Sequence, residues 1–211
     1  EQDAAFVLHA LGLVAEYQDD FPLAEKYYRQ AIELIPTWTY PRSSLGNALR
    51  DQNRYTEAME VFKEVIRLAP GFSWPYNNLA NVYYDLKRYK EAEQLYKYSI
   101  EIDTIDAAVE LSNLGLVFKD RGNIKKAEDF FKRSIKADSN FVYAYHHLAE
   151  LLEKINAKQT SELLLTSITR EPYFAEGLSE LADHYREGPS VAEWKLADSL
   201  YSTAISNNPY Y

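Results

Sequence analysis

One small-residue position returns through the whole chain at a nearly fixed interval. Gly12, Gly46, Ala80, Gly115, Ala149 and Ala182 are separated by 34, 34, 35, 34 and 33 residues. A second series, Ala24, Ala58, Ala92 and Ala127, steps by 34, 34 and 35 in the same phase. A third is aromatic: Tyr28, Phe62, Tyr96 and Phe131. A fourth closes each period: Pro36, Pro70, Thr104, Ser139, Pro172 and Pro209. Series that keep one phase define a repeated unit. A unit of this length is one supersecondary element, which buries its apolar face only against its neighbours.

Each period holds two apolar patterns of helical spacing. In the third, Tyr76, Leu79, Ala80 and Tyr83 fall at i, i+3, i+4 and i+7. After a turn at Asp85-Leu86-Lys87-Arg88, the positions Tyr89, Ala92, Tyr96, Ser99 and Ile100 repeat the spacing. Breakers separate other helices, at Arg121-Gly122-Asn123, Ala69-Pro70-Gly71 and Glu171-Pro172. A Gly or Ala on each helix lets paired backbones approach, and the aromatic fills the space beside them. The expected fold is all-α: six helix–turn–helix units, about twelve antiparallel helices, and no sheet.

The pattern resembles the tetratricopeptide repeat family. It is carried by Leu45-Gly46, Ala58, Phe62 and Pro70, and by Tyr76, Leu79-Ala80, Tyr83, Ala92 and Tyr96. The resemblance covers units at approximately 5–38, 39–72, 73–107, 108–141, 142–174 and 175–211, read as one domain over 1–211. It implies a right-handed solenoid whose first helices line a concave groove. It also implies a superhelical, peptide-binding type rather than the RNA-binding pentatricopeptide branch.

Some units depart from the pattern. The fifth is a residue short, with Thr160-Ser161 where the small Ala is expected, and its helix pairing is expected to be looser. The sixth carries extra residues around Glu187-Gly188-Pro189-Ser190, and Ser190 with Glu193 reads as a capping box. Solenoids need a polar terminal cap. None is visible before the first helix or at Asn208-Pro209-Tyr210-Tyr211, so the chain is expected to be a fragment of a longer protein.

Composition narrows the function. Apolar residues make up 46% and charged residues 26%, which suits a packed, well-solvated fold. The formal charge of −9 disfavours nucleic acid and anionic membranes as partners. No apolar run has the length of a membrane span, and Glu1-Gln2-Asp3 lacks the basic start of a signal peptide, so a cytoplasmic location is expected. Without cysteine there are no disulfides or thiolate metal sites.

The residues offer little catalytic chemistry. His147 and Glu150 in "HHLAE" sit at helical spacing, but no second ligand pair accompanies them, so solvated helix surface is the reading and no metal is expected. There is no glycine-rich phosphate loop, no Gly-x-Ser-x-Gly elbow, and no base at fixed spacing from Ser112 or Ser134. Neither a catalytic residue nor a cofactor is expected.

Binding residues follow from the resemblance. The family's sixth position falls on Ala10, Ser44, Asn78, Asn113, His147 and Glu180. The ninth falls on Leu13, Asn47, Asn81, Leu116, Glu150 and Asp183. Asn77, Asn78 and Asn81 therefore lie on the groove wall. A carboxamide offers an acceptor and donors, so it clamps a peptide main chain without reading side chains. The second position adds flat surfaces at Phe6, Tyr40, Trp74 and Tyr143. Trp and Tyr dominate binding hot spots, although packing against the next unit is the competing use for Trp74.

The clamp for a heat-shock C-terminal carboxylate, another activity of the family, does not fit. Asn47 and Asn78 match, but Ser43, Val109 and Asn113 stand where cations are needed to offset carboxylate desolvation.

Residues 142–211 hold 10 acidic and 5 basic side chains. Glu150, Glu153, Glu176, Glu180, Asp183 and Glu187 map to the groove, against Lys154 and Arg186, which predicts an acidic mouth for a partner with a basic flank.

The function expected is a non-catalytic interaction module that binds a peptide segment or partner protein in the groove. The alternatives are a substrate-recognition or regulatory arm of a larger enzyme such as a glycosyltransferase, and a scaffold that self-associates through its ends.

Overall fold

A computed structural model describes residues 2–153, 155–172, 174–186 and 191–207. The chain divides into two compact units, Glu1–Thr104 and Ile105–Tyr211. Among the described residues there are twelve helices and no strand. The fold class is the one the repeat predicts, an all-α solenoid of helix–turn–helix units.

The first unit contains α1 (Gln2–Tyr17), α2 (Phe21–Leu34), α3 (Thr39–Asp51), α4 (Tyr55–Leu68), α5 (Trp74–Asp85) and α6 (Tyr89–Ile102). Consecutive helices pair as hairpins, and each second helix packs on the next first helix: α2 on α3, and α4 on α5. The repeated small residues lie in these contacts. Ala24, Ala58 and Ala92 are fully buried, as are Tyr28 and Phe62, and Tyr96 is 1% exposed. The approach is tight at the glycines. A Cβ on Gly46 would stand 2.6 Å from ring carbons of Phe62.

The turns within the hairpins also repeat. Asp19, Asn53 and Lys87 occupy the same turn position, with φ of 57°, 60° and 58°. Gly122 holds the equivalent place in the second unit at φ 75°. Asp and Asn tolerate this left-handed region and Gly adopts it freely, whereas Lys87 carries its steric cost. The next residue but one begins a helix. Asp20 accepts a hydrogen bond from the Leu23 amide at 3.1 Å, capping one of the orphan donors of α2.

The second unit contains α7 (Ala108–Asp120), α8 (Ile124–Ala137), α9 (Val142–Leu152), α10 (Ala157–Arg170), α11 (Ala175–Arg186) and α12 (Val191–Asn207). The same hairpins and the same packing of α8 on α9 and α10 on α11 recur. Asn123 and Asn156 cap α8 and α10 by accepting from the Lys126 and Gln159 amides, each at 3.2 Å. Thr160 takes the place of the small Ala in α10 and is 3% exposed. Its hydroxyl donates back to the Asn156 carbonyl at 3.2 Å, so burial leaves it satisfied. The Ser190–Glu193 capping box and the Asn208-Pro209-Tyr210-Tyr211 ending lie outside the described residues and side chains.

One helix face differs from its equivalents. Val7, Leu11 and Val14 of α1 are 57%, 42% and 53% exposed. The residues a repeat later, Pro41, Leu45 and Ala48, are buried under α2, and Pro75, Leu79 and Val82 are buried in α5.

Candidate functional site

In the first unit the first helices of the hairpins touch side by side. His9 Nε2 and Ser44 Oγ are 3.0 Å apart, joining α1 to α3. Arg50 Nε donates to Asp85 Oδ2 at 2.5 Å, joining α3 to α5. This places the predicted groove residues of α3 and α5 on adjoining helices. Asn47, Trp74, Asn77, Asn78 and Asn81 are all half-buried.

Tyr40 and Trp74 form a flat pair. Their ring planes lie within 24° and their centroids 6.1 Å apart, and Tyr40 is 63% exposed. Trp74 packs on the neighbouring helix and still keeps part of its surface open. Phe6 and Tyr143 at the same repeat position are also about half exposed, each with one ring edge against another aromatic: Trp38 for Phe6, Phe174 for Tyr143.

The asparagines divide by what they already hold. Asn77 Nδ2 approaches Asn78 Oδ1 at 3.5 Å, a weak link between neighbouring amides. Asn81 is different. The Tyr96 hydroxyl donates to its Oδ1 at 2.6 Å. The Oδ1 of this carboxamide is therefore already engaged with a buried hydroxyl of the core.

Tyrosines at the same repeat position also donate to a carboxylate on the preceding helix. The Tyr201 hydroxyl donates to Asp183 at the ninth position, and the Tyr28 hydroxyl donates to Glu16, a residue three beyond it, the ninth there being Leu13. Burial, with the Glu16 carboxylate beside it, pushes the Tyr28 pKa up. Where the aromatic is Phe62 or Phe131, the ninth-position residue is Asn47 or Leu116, with no hydroxyl to hold. Sequence reasoning missed these pairings, and no single repeat position marks them: Tyr28 shares its repeat with Leu13 at the ninth position, and Phe62 shares its repeat with Asn47.

In the second unit, Asn113 is half-buried on α7. His147 is half-buried on α9, tilted against Phe131 with centroids 5.6 Å apart. Burial, with help from the neighbouring His146, pulls its pKa down to about 4, so its imidazole is neutral near pH 7. Glu180 on α11 places Oε2 3.0 Å from His146 Nδ1.

The predicted acids converge in part. Glu150, Glu153, Glu180 and Asp183 line one cleft of about 200 Å³, with His184 and Thr160 among its walls. Cations already answer some of that charge: Lys119 holds Glu150 at 2.6 Å and Arg186 holds Asp183 at 2.9 Å. Glu187 and Lys154 lie outside the described residues.

Paired helices in a nearly fixed repeat, with polar and aromatic groups on the first helix of each pair, define a repeat protein of the α-solenoid class. Sequence models for the repeat agree with the geometry. Models described as "Tetratricopeptide repeat" match residues 5–38 and 72–140, and one described as "TPR repeat" matches 46–87. The chain belongs to the tetratricopeptide repeat family. No curated protein matches it by sequence.

Solved structures share the fold at low identity. Yeast Tom70 superposes with a TM-score of 0.85 at 19% identity, over 97% of this chain and 43% of Tom70. The Cut9-Hcn1 hetero-tetramer of the APC/C matches with 0.75 at 15%, over 98% of this chain and 41% of its counterpart. PilF of Pseudomonas aeruginosa matches with 0.71 at 19%, over 99% and 94% of the two chains. The chain thus spans less than half the length of two of these proteins. The family is typically a non-catalytic module of protein–protein interaction, binding partner proteins or peptides. No helix among the described residues is long and apolar enough to cross a membrane.

Proposed function

We propose that this chain is a non-catalytic module that holds an extended peptide segment of a partner protein on the face formed by α3 and α5. Tyr40 and Trp74 act as flat anchors. Asn47 and Asn78, with Asn77 beside them, clamp the peptide main chain. Asn81 acts mainly by fixing Tyr96 beneath that face. Asn113, His147 and Glu180 hold the corresponding repeat positions of the second unit, where the carboxylates of the α9–α11 cleft favour a partner with a basic flank. The observation that carries the reading is the stacked, solvent-open Tyr40–Trp74 pair beside half-buried carboxamides. An apolar platform next to paired donors and acceptors suits a peptide better than a charged small molecule.

Peptides selected from a random display library against the whole chain test this. The selected peptides should bind Trp74→Ala and Tyr40→Ala at least tenfold more weakly, the cost of losing about 1.4 kcal/mol. Peptides that bind both variants as tightly as the parent chain would contradict it.

Self-association is a second reading, favoured by the open Val7-Leu11-Val14 face of α1. The equivalent face of α3 is covered by a helix. A second copy could supply such a helix, and sedimentation at two protein concentrations would show it as a rise in mass. A constant monomer mass would remove this reading.

A further inference from the structure

We propose that His146, His147 and Glu150 of α9, with Glu180 of α11, form a binding site for a divalent transition-metal ion of the zinc class. The bound ion would tie α9 to α11 within the second unit. The site shares His147, Glu150 and Glu180 with the peptide reading, but its test reads metal binding alone.

The geometry supports it in three ways. First, His146, His147 and Glu150 each bring a ligating atom within 4.8 Å of the others. A tetrahedral ion with bonds of about 2.0–2.2 Å separates its ligands by about 3.3 Å, a gap that side-chain rotation can close. Two imidazoles on such an ion stand with centroids about 5 Å apart, and the rings of His146 and His147 are 5.2 Å apart.

Second, the Nδ1 atoms of His146 and His147 are both buried and make no hydrogen bond. His146 Nδ1 lies 3.0 Å from Glu180 Oε2 but outside hydrogen-bond geometry. This ion-pair distance is also close to the separation of two ligands around a shared cation. A buried, unpartnered ring nitrogen is otherwise a cost, and its lone pair is what a borderline metal takes.

Third, the surroundings suit an ion. Phe174 and Phe131 each lie with ring centroids 5.6 Å from His146 and His147 respectively, limiting the swing of the imidazoles. Glu150 and Glu180 also border the adjoining cleft. One cation opposes the site: Lys119 Nζ sits 2.6 Å from Glu150 Oε1. Two carboxylates outweigh that single ammonium, and Lys119 fixes the carboxylate while the ion takes its other oxygen. Imidazole ligands select zinc-like ions over calcium and magnesium, which prefer all-oxygen shells.

The test uses the whole chain, without a histidine tag, stripped with a chelator and titrated with Zn²⁺ by calorimetry. The expected result is saturable one-to-one binding at micromolar Zn²⁺ that Mg²⁺ does not displace. His146→Gln and Glu180→Gln should each weaken it by about tenfold or more, and His9→Gln in the other unit should not. Co²⁺ loaded in place of Zn²⁺ should give the intense visible bands of a tetrahedral ion, lost in His147→Gln. Glu180 is partly exposed, so Glu180→Gln keeps the test sound if a histidine variant fails to fold. No saturation at micromolar Zn²⁺, displacement by Mg²⁺, or affinity unchanged in both His146→Gln and Glu180→Gln would overturn the proposal.

Discussion

The Tyr96 hydroxyl donates to Asn81 Oδ1 at 2.6 Å, tying the core aromatic of α6 to the groove-side helix α5. Tyr96 is 1% exposed, so its hydroxyl depends on partners inside the protein. Asn81→Ala removes this acceptor and should destabilise the chain by about 1–3 kcal/mol, the cost of leaving a buried polar group short of a partner. The fourth repeat shows the apolar alternative, with Leu116 and Phe131 in the same two places. The double change Asn81→Leu/Tyr96→Phe should therefore recover most of the loss. Denaturant midpoints for the single and double variants measure the coupling. Strict additivity would mean that the pair does not act as a unit.

Gly46 presents no Cβ to Phe62, whose ring carbons would stand 2.6 Å from one. Phe62 is fully buried and has little room to retreat. Gly46→Ala gains about 1 kcal/mol in helix propensity. It should still be a net destabilisation of about 1–2 kcal/mol, because overpacking outweighs the gain. Combining it with Phe62→Leu should relieve part of the cost. A stabilised single variant would show that the α3–α4 contact is looser than this geometry.

Lys87 holds a left-handed backbone at φ 58°, where the equivalent Gly122 has no steric penalty. Strain at a non-glycine residue in this region is about 1–2 kcal/mol. Lys87→Gly should raise stability by about 0.5–1 kcal/mol once the greater flexibility of unfolded glycine is subtracted. Gly122→Ala should lower it by a similar amount. Thermal unfolding of the two variants checks the opposite signs; shifts in the same direction would contradict the shared turn geometry.

Much of this architecture is legible in the sequence because sterics impose it locally and repeatedly. Gly46 opposite Phe62, and Ala92 four residues before Tyr96, can be read as close contacts without coordinates. The left-handed turns were harder to read, since only Gly122 among the four positions is glycine. The candidate face was legible in position but not in state. Periodicity puts Asn47, Asn78 and Asn81 on one wall, but cannot show that Asn81 is committed to Tyr96. That depends on how deeply a hydroxyl on another helix is buried. The contact of His146 with Glu180 was hidden for a similar reason: the two lie on different helices, and a reading of "HHLAE" along one helix cannot bring them together.

Substitutions on the exposed face should separate binding from folding. Tyr40→Ala changes a side chain that is 63% exposed. It should alter stability by less than about 0.5 kcal/mol while weakening peptide binding by more than about 1 kcal/mol. Unfolding curves and affinities measured on one preparation decide it. A loss of stability that matches the loss of affinity would make Tyr40 a packing residue and nothing more.

If carboxamides on α3 and α5 grip a peptide main chain, a double-variant cycle on Asn78 reveals it. Affinity is measured for the parent chain and Asn78→Ala, each with a selected peptide and with the same peptide N-methylated at successive amides. Asn78→Ala should weaken the unmodified peptide by about 0.5–1.5 kcal/mol, the net value of a neutral hydrogen bond. This difference should vanish for one particular methylated amide. A substitution without effect on the unmodified peptide, or an equal loss for every methylated form, would contradict it.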